Sequence, residues 1–167
     1  MESLAQDFNS VAGYEANGGF LLQTDVEKAG KILKALPTRD ALLPIISVLV
    51  NAKDLKIKVS DLLKELPSRF SASDRLKNFP TERSKQKIAE IKSENLGEVL
   101  FGKFSGKLKS IDETDGFRMT FDSEEIIHLR PSGNAPELRC YVEATSQERA
   151  KKLLTDCIQV LESFRGE

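Results

Sequence analysis

The chain has 167 residues, 25 basic and 26 acidic side chains, and a formal net charge of −1. That balance argues against a nucleic-acid binder, which ordinarily carries a basic excess, and no apolar run reaches the roughly 20 residues of a membrane span. The acidic, amphipathic start at Met1–Ser10 has no signal-peptide pattern, so a cytoplasmic protein without a membrane partner is expected.

Residues 1–8 read as one or two turns of helix, with Leu4 and Phe8 four apart, and look like the tail of a longer helix. A short extended run, the loop Gly13–Gly19 and Phe20–Leu22 then read as strand, loop, strand. Over 25–36 the positions Val26, Ala29, Ile32, Leu33 and Leu36 have helical spacing, against which Gly30 and Pro37 count. Thr38 is placed to cap a helix through Val50 that is apolar nearly all round and so expected to be buried. Pro44 suits that helix only near its beginning. Ser60 is expected to cap a short helix over 61–66, ended by Pro67. Residues 68–80 read as a polar, irregular linker with an extended stretch near Arg69–Ser73.

Thr81 is expected to cap an exposed helix to about Ser93. A strand-rich stretch follows. Asp115-Gly116 is a two-residue hairpin signal, and Phe117, Met119 and Phe121 alternate with polar residues as a half-buried strand does. Ile126–Arg130 and Leu138–Ala144 read as two further strands. A last helix, 146–164, is capped by Ser146 and carries an apolar stripe from Ala150 to Phe164. The second half therefore reads as α+β: helix, three or four antiparallel strands, helix, with the helices on one face of the sheet. The two cysteines, Cys140 and Cys157, read as buried small hydrophobes, and His128 as the one histidine cannot build a multi-histidine metal site.

The segment Arg130-Pro-Ser-Gly-Asn-Ala-Pro-Glu-Leu-Arg139 has the groups an anion needs. Gly133 lets a backbone come close, successive N–H groups in such a turn form an anion nest, and Ser132 and Asn134 add neutral donors. Arg130 and Arg139 supply permanently charged, planar forks matched to two phosphate oxygens. Pro131 and Pro136 stiffen the loop, and Glu137 is expected to point away from the arginines. The same residues also suit a plain turn, with the arginines paired to surface carboxylates. Likewise Glu15 and Asn17 suit vicinal sugar hydroxyls, while Asn17-Gly18 is also ordinary hairpin chemistry.

Together, in this order and separation, the two loops resemble those of the α-D-phosphohexomutase family of phosphomannomutases and phosphoglucomutases. Arg130-Pro-Ser-Gly133, Pro136 and Leu138–Ala144 are similar to the phosphate loop and next strand of that family's fourth domain, which has a TATA-binding-protein-like fold. Asp115–Phe121 fits the same domain. Gly13–Gly18 resembles the sugar-recognition loop of its α/β third domain, and Thr38–Pro44 the helix that follows there. The resemblance implies a partial third domain over 1–67, a linker over 68–80 and a fourth domain over 81–167. Glu15 and Asn17 would then hold the sugar, and Arg130, Ser132, Gly133, Asn134 and Arg139 its phosphate.

The implied activity is the interconversion of hexose 1- and 6-phosphates of mannose or glucose through a phosphoserine enzyme, with Mg2+ and a hexose 1,6-bisphosphate as intermediate and activator. Neither the family's serine loop nor its aspartate metal loop occurs in this sequence. The chain alone is therefore expected to bind substrate without catalysis and to need the missing N-terminal domains as partner. A stand-alone phosphosugar-binding or regulatory module is the alternative. Two positions depart from the common family pattern near the phosphate loop, Asn134 and Ala135 standing where many members have Thr and Glu, and Gly19 replaces a frequent His beside the sugar loop.

Overall fold

The computed structural model describes residues 8–14, 19–36 and 38–166. These fall into two compact units, Met1–Leu66 and Pro67–Glu167. The expected helix at residues 1–8 lies outside the described residues but for Phe8.

The first unit is built from two small hairpins and two helical segments. Strands β1 (Ala12–Tyr14) and β2 (Phe20–Leu22) pair antiparallel, with Tyr14 opposite Phe20. Residues 25–36 are not a helix. They form a second hairpin, β3 (Val26–Lys28) and β4 (Lys31–Leu33), with Lys28 opposite Lys31. Its two turn residues, Ala29 and Gly30, both have positive φ, 52° and 71°, as the tight turn between right-twisted strands requires. Asp25 closes the hairpin by accepting from Lys34 Nζ at 2.7 Å and the Ala35 N–H at 2.8 Å. Helical spacing in the apolar residues thus loses to the turn chemistry of Gly30.

Helix α1 spans Leu42–Leu55. It begins later than Thr38, and the Leu42 N–H is taken by the Asp40 carboxylate at 2.8 Å. Pro44 is its third residue, where no intrahelical N–H partner is lost. A left-handed Lys56 ends it. The expectation that this apolar helix is buried does not hold among the described residues. Only Ala52 is buried, while Leu42, Ile45, Ile46, Leu49 and Val50 are exposed. A short 3-10 helix, Val59–Glu65, completes the unit without a side-chain cap from Ser60.

The second unit is a five-stranded antiparallel sheet in the order β5-β9-β8-β7-β6, with three helices packed on one face. Its strands are β5 (Phe70–Lys77), β6 (Leu108–Asp112), β7 (Phe117–Phe121), β8 (Ile126–Pro131) and β9 (Glu137–Ala144). Its helices are α2 (Thr81–Ser93), α3 (Leu96–Ser105) and α4 (Gln147–Ser163). Alternation builds the core. Leu76 faces Leu138, Cys140 faces Leu129, Val142 faces Ile127, and Phe117 and Met119 continue the rows onto β7. All are at most 1% exposed. From α4, Ala150, Leu153, Cys157, Leu161 and Phe164 close over them, and Ser146 caps that helix by accepting the Arg149 N–H at 3.1 Å.

Three expectations change here. Residues 68–80 contain an eight-residue edge strand rather than a linker alone. The alternation 70, 72, 74, 76 is broken by Asp74, which sits in register with buried Cys140 yet stays exposed and accepts the Arg75 N–H. A charge placed this way also discourages edge-to-edge pairing of sheets. A helix, α3, stands at the head of the stretch expected to be strands. Thr81 is the first residue of α2 rather than its cap, which is Pro80.

Candidate functional site

The loop 132–136 joins β8 to β9 at one end of the sheet. Its ends are fixed by the last pairs of the ladder, Arg130 opposite Arg139 and Pro131 opposite Leu138. Within it the Ser132 N–H donates to the Glu137 carbonyl at 2.9 Å, and the Glu137 N–H to the Ala135 carbonyl at 2.8 Å. Two further bonds stitch it to the segment before α2. The Phe79 N–H donates to the Pro136 carbonyl at 2.8 Å, and the Thr81 hydroxyl to the Ser132 carbonyl at 2.9 Å. The first turn of α2 is thereby held against the loop, with the positive end of its dipole on that side.

The five phosphate-loop residues fall into two groups. Arg130 and Arg139 lie side by side on adjacent strands and on the sheet face opposite the helices, both partly exposed. Arg130 is paired with Asp115 at 3.0 Å. Among the described residues Arg139 has no carboxylate partner. Gly133 and Asn134 are exposed at the tip, and a Cβ built on Gly133 meets nothing within 4 Å. Gly133 also lacks positive φ. Neither the backbone nor the packing therefore demands glycine there, and the tip is open to solvent. Ser132 is only 1% exposed, and its Oγ accepts the Asn134 N–H at 3.4 Å. In this state its hydroxyl braces the loop.

Glu137 does not point away from the arginines. Its position in β9 has the parity of Arg139, so both share the open face, and its carboxylate lies 3.6 Å from Arg75 Nε. The Asp115-Gly116 turn behind Arg130 is tightly packed. Gly116 has φ +99°, and a Cβ there would fall 2.6 Å from the Leu129 carbonyl oxygen. His128 Nε2 lies 2.5 Å from the Asp115 carbonyl oxygen, and its ring is tilted against Tyr141 with centroids 5.6 Å apart. The turn that presents Asp115 to Arg130 is thus itself fixed.

Glu15 and Asn17, the sugar-loop candidates, lie outside the described residues. The strands leading into and out of their loop are β1 and β2. Among the described residues no group of three His, Cys, Asp or Glu side chains converges as metal ligands. Thr81 and Arg75 were not singled out by the motif, and Glu137 was, but without its partner. Thr81 acts through its hydroxyl on a loop 51 residues away, and strand parity for Glu137 and Arg75 becomes readable only once β5 is known to pair with β9.

A family model described as phosphoglucomutase/phosphomannomutase, C-terminal domain, matches residues 55–160. A phosphomannomutase of Salmonella muenchen is 47% identical over 98% of this chain and 34% of its own length. A phosphomannomutase of Sinorhizobium fredii is 40% identical over 97% of this chain and 34% of its own. A probable phosphoglucosamine mutase of Methanobrevibacter smithii is 26% identical over 64% of this chain. The chain spans about a third of the length of the two phosphomannomutases it matches.

Proposed function

The chain belongs to the phosphoglucomutase/phosphomannomutase C-terminal domain family, and from that premise we propose that it is the substrate-holding part of a hexose phosphate mutase. The observation that carries the proposal is the pair Arg130 and Arg139, adjacent in register and on one face, beside a glycine tip that the fold itself leaves unfilled. Two guanidinium forks at neighbouring strand positions match a phosphate dianion, and charge-assisted bonds of this kind each contribute about 1.5–3 kcal/mol. Arg130 would exchange Asp115 for the phosphate, and the Gly133 and Asn134 N–H groups would complete the cradle. Ser132 contributes by shaping it.

In the whole enzyme, a phosphoserine outside this chain would donate its phosphoryl group to the free hydroxyl of a hexose monophosphate. The resulting 1,6-bisphosphate would turn over, and its other phosphate would return to the serine. The Arg130–Arg139 loop would hold whichever phosphate is not reacting, so that binding at the remote end orients the reacting end. Glu15 and Asn17 would hold the ring hydroxyls in both orientations. Mg2+ would be bound by residues outside this chain. The setting is cytoplasmic carbohydrate metabolism.

Calorimetric titration of the chain with mannose 1-phosphate or glucose 6-phosphate tests this reading. Binding is expected, and Arg130→Ala and Arg139→Ala should abolish it. Gly133→Ala should weaken binding while leaving stability within about 0.5 kcal/mol, because its methyl enters open space. No binding of any hexose phosphate would overturn the reading. The chain alone should show no mutase turnover with Mg2+ and a bisphosphate activator, and measurable turnover would show that catalysis does not need the other domains.

A further inference from the structure

The row of arginines does not end at Arg139. Strand β5 lies on its other side, and the residue directly opposite Arg139 there is Arg75. With Arg130 opposite Arg139 on β8, three guanidinium-bearing positions stand in line across β5, β9 and β8. Facing positions on paired strands are about 4.5–5.5 Å apart, so the three side chains are within reach of one small anion. Like charges placed directly opposite one another destabilise a sheet. Here, among the described residues, the outer two are compensated and Arg139 is not: Arg75 by Glu137 at 3.6 Å and Arg130 by Asp115 at 3.0 Å. The space beside the row is concave, a hollow of about 470 Å³ lined by Ser73, Asp74, Arg75, Arg139 and Tyr141. That is within the usual range for small-ligand sites, about 300–1,000 Å³. Arg139 is shared by this hollow and the loop site.

We propose that Arg75 is a third phosphate-binding arginine, which extends the anion site from the loop onto the edge strand and is held in reserve by Glu137 until a phosphorylated ligand arrives. This rests on the reading of Arg130 and Arg139 as a phosphate site. When the dianion binds, Arg75 leaves Glu137 and donates to a phosphate oxygen on the β5 side, while Arg130 serves the other side. Glu137 therefore competes with the ligand for Arg75, and it sets how tightly the ligand is held.

Calorimetry on the full chain with mannose 1-phosphate, and separately with inorganic phosphate, tests the proposal. Arg75→Gln should weaken both by about tenfold, the scale of one charged hydrogen bond. The Arg75 side chain is half exposed, so the variant should keep its unfolding midpoint. Arg75→Lys should recover part of the loss, since charge is kept and the fork is not. Glu137→Gln should tighten binding about threefold by freeing Arg75, the scale of one exposed ion pair. That gain should vanish in the Arg75→Gln, Glu137→Gln double variant. If Arg139→Gln abolishes binding but Arg75→Gln changes it by less than about twofold, Arg75 is not a ligand and the loop reading stands alone. If the unaltered chain binds neither probe, the loop reading falls and this inference falls with it.

Discussion

The two units spend their apolar residues differently. In the Pro67–Glu167 unit, leucines, isoleucines and phenylalanines from five strands and three helices meet in one cluster, and Leu76, Phe101, Met119, Leu129 and Leu161 are wholly inaccessible. In the Met1–Leu66 unit, the buried apolar residues among those described are Val11, Leu22 and Ala52, while α1 carries Leu42 and Leu49 in the open, 68% and 54% exposed. Fully burying a side chain of this kind contributes about 1.5–3 kcal/mol, so the half-exposed apolar side chains of α1 together forgo an amount comparable to the margin on which a small domain lives. The sheet unit has a complete core of its own. Among its described residues the hairpin-and-helix unit leaves most of the apolar side chains of α1 exposed.

The sharpest way to break this comparison is a matched pair of truncations. Leu161→Ala in the sheet unit should cost about 3–5 kcal/mol and lower the denaturant midpoint markedly. Leu49→Ala in α1 should stay within about 0.5 kcal/mol. Equal costs would show that α1 is packed in solution. Next comes Arg149→Ala. Arg149 grips Glu125 through Nε and Nη2 and donates to the Phe104 carbonyl, so it ties α4 to the β7–β8 turn and the end of α3. Glu125 is 5% exposed, and its stranded carboxylate should cost about 2 kcal/mol, less than a fully buried pair because Arg149 itself is partly solvated. Urea titration followed by near-ultraviolet signals would register it.

Gly116→Ala should cost about 1–3 kcal/mol through φ +99° and the 2.6 Å clash with the Leu129 oxygen, in contrast with the silent Gly133→Ala. The smallest effect is pH-dependent and falls in the other unit. The Lys34 ammonium and the Ala35 N–H hold the Asp25 carboxyl below its ordinary value of 3.8. A lowered carboxyl gives stability that is complete above its unfolded pKa and is lost as pH falls through the folded one. The β3–β4 hairpin should therefore loosen only below about pH 4. Amide exchange at Ala35 should rise there, while core amides of β8 and β9 stay protected.

The sheet unit was largely legible in the sequence because its signals are local. Period-2 alternation at Phe117, Met119 and Phe121 and the Ser146 cap with its stripe sit where the pattern puts them, while Asp115-Gly116 marks a turn whose loop is four residues, 113–116, rather than two. Failures came where tertiary pairing decides. Strand β5 was obscured by Asp74, whose polarity is tolerable only at an edge. The sequence of 25–36 is ambiguous, its apolar spacing helical and its Gly30 against it, and the structure resolves it as a hairpin because the turn residues outweigh the spacing. α1 was expected to be buried because a helix apolar on all sides ordinarily is, and nothing described in its unit covers it. Of the site, the two loop arginines and Gly133 were visible as a motif. Arg75 and the orientation of Glu137 depend on which strand lies beside β9, information that no short window carries.

Both cysteines of the chain, Cys140 on β9 and Cys157 on α4, are fully buried. The hydrogen bond with Cys140 and burial push the Cys157 thiol far above its ordinary value, and burial closes both sulfurs to an external reagent. The native protein is thus chemically silent toward maleimides. A cysteine introduced at the exposed Lys77 position, in register with Glu137 and two residues along β5 from Arg75, would be labelled alone and without touching the core. A fluorophore placed there gives the proposed phosphate site an optical readout in a molecule that has no tryptophan of its own.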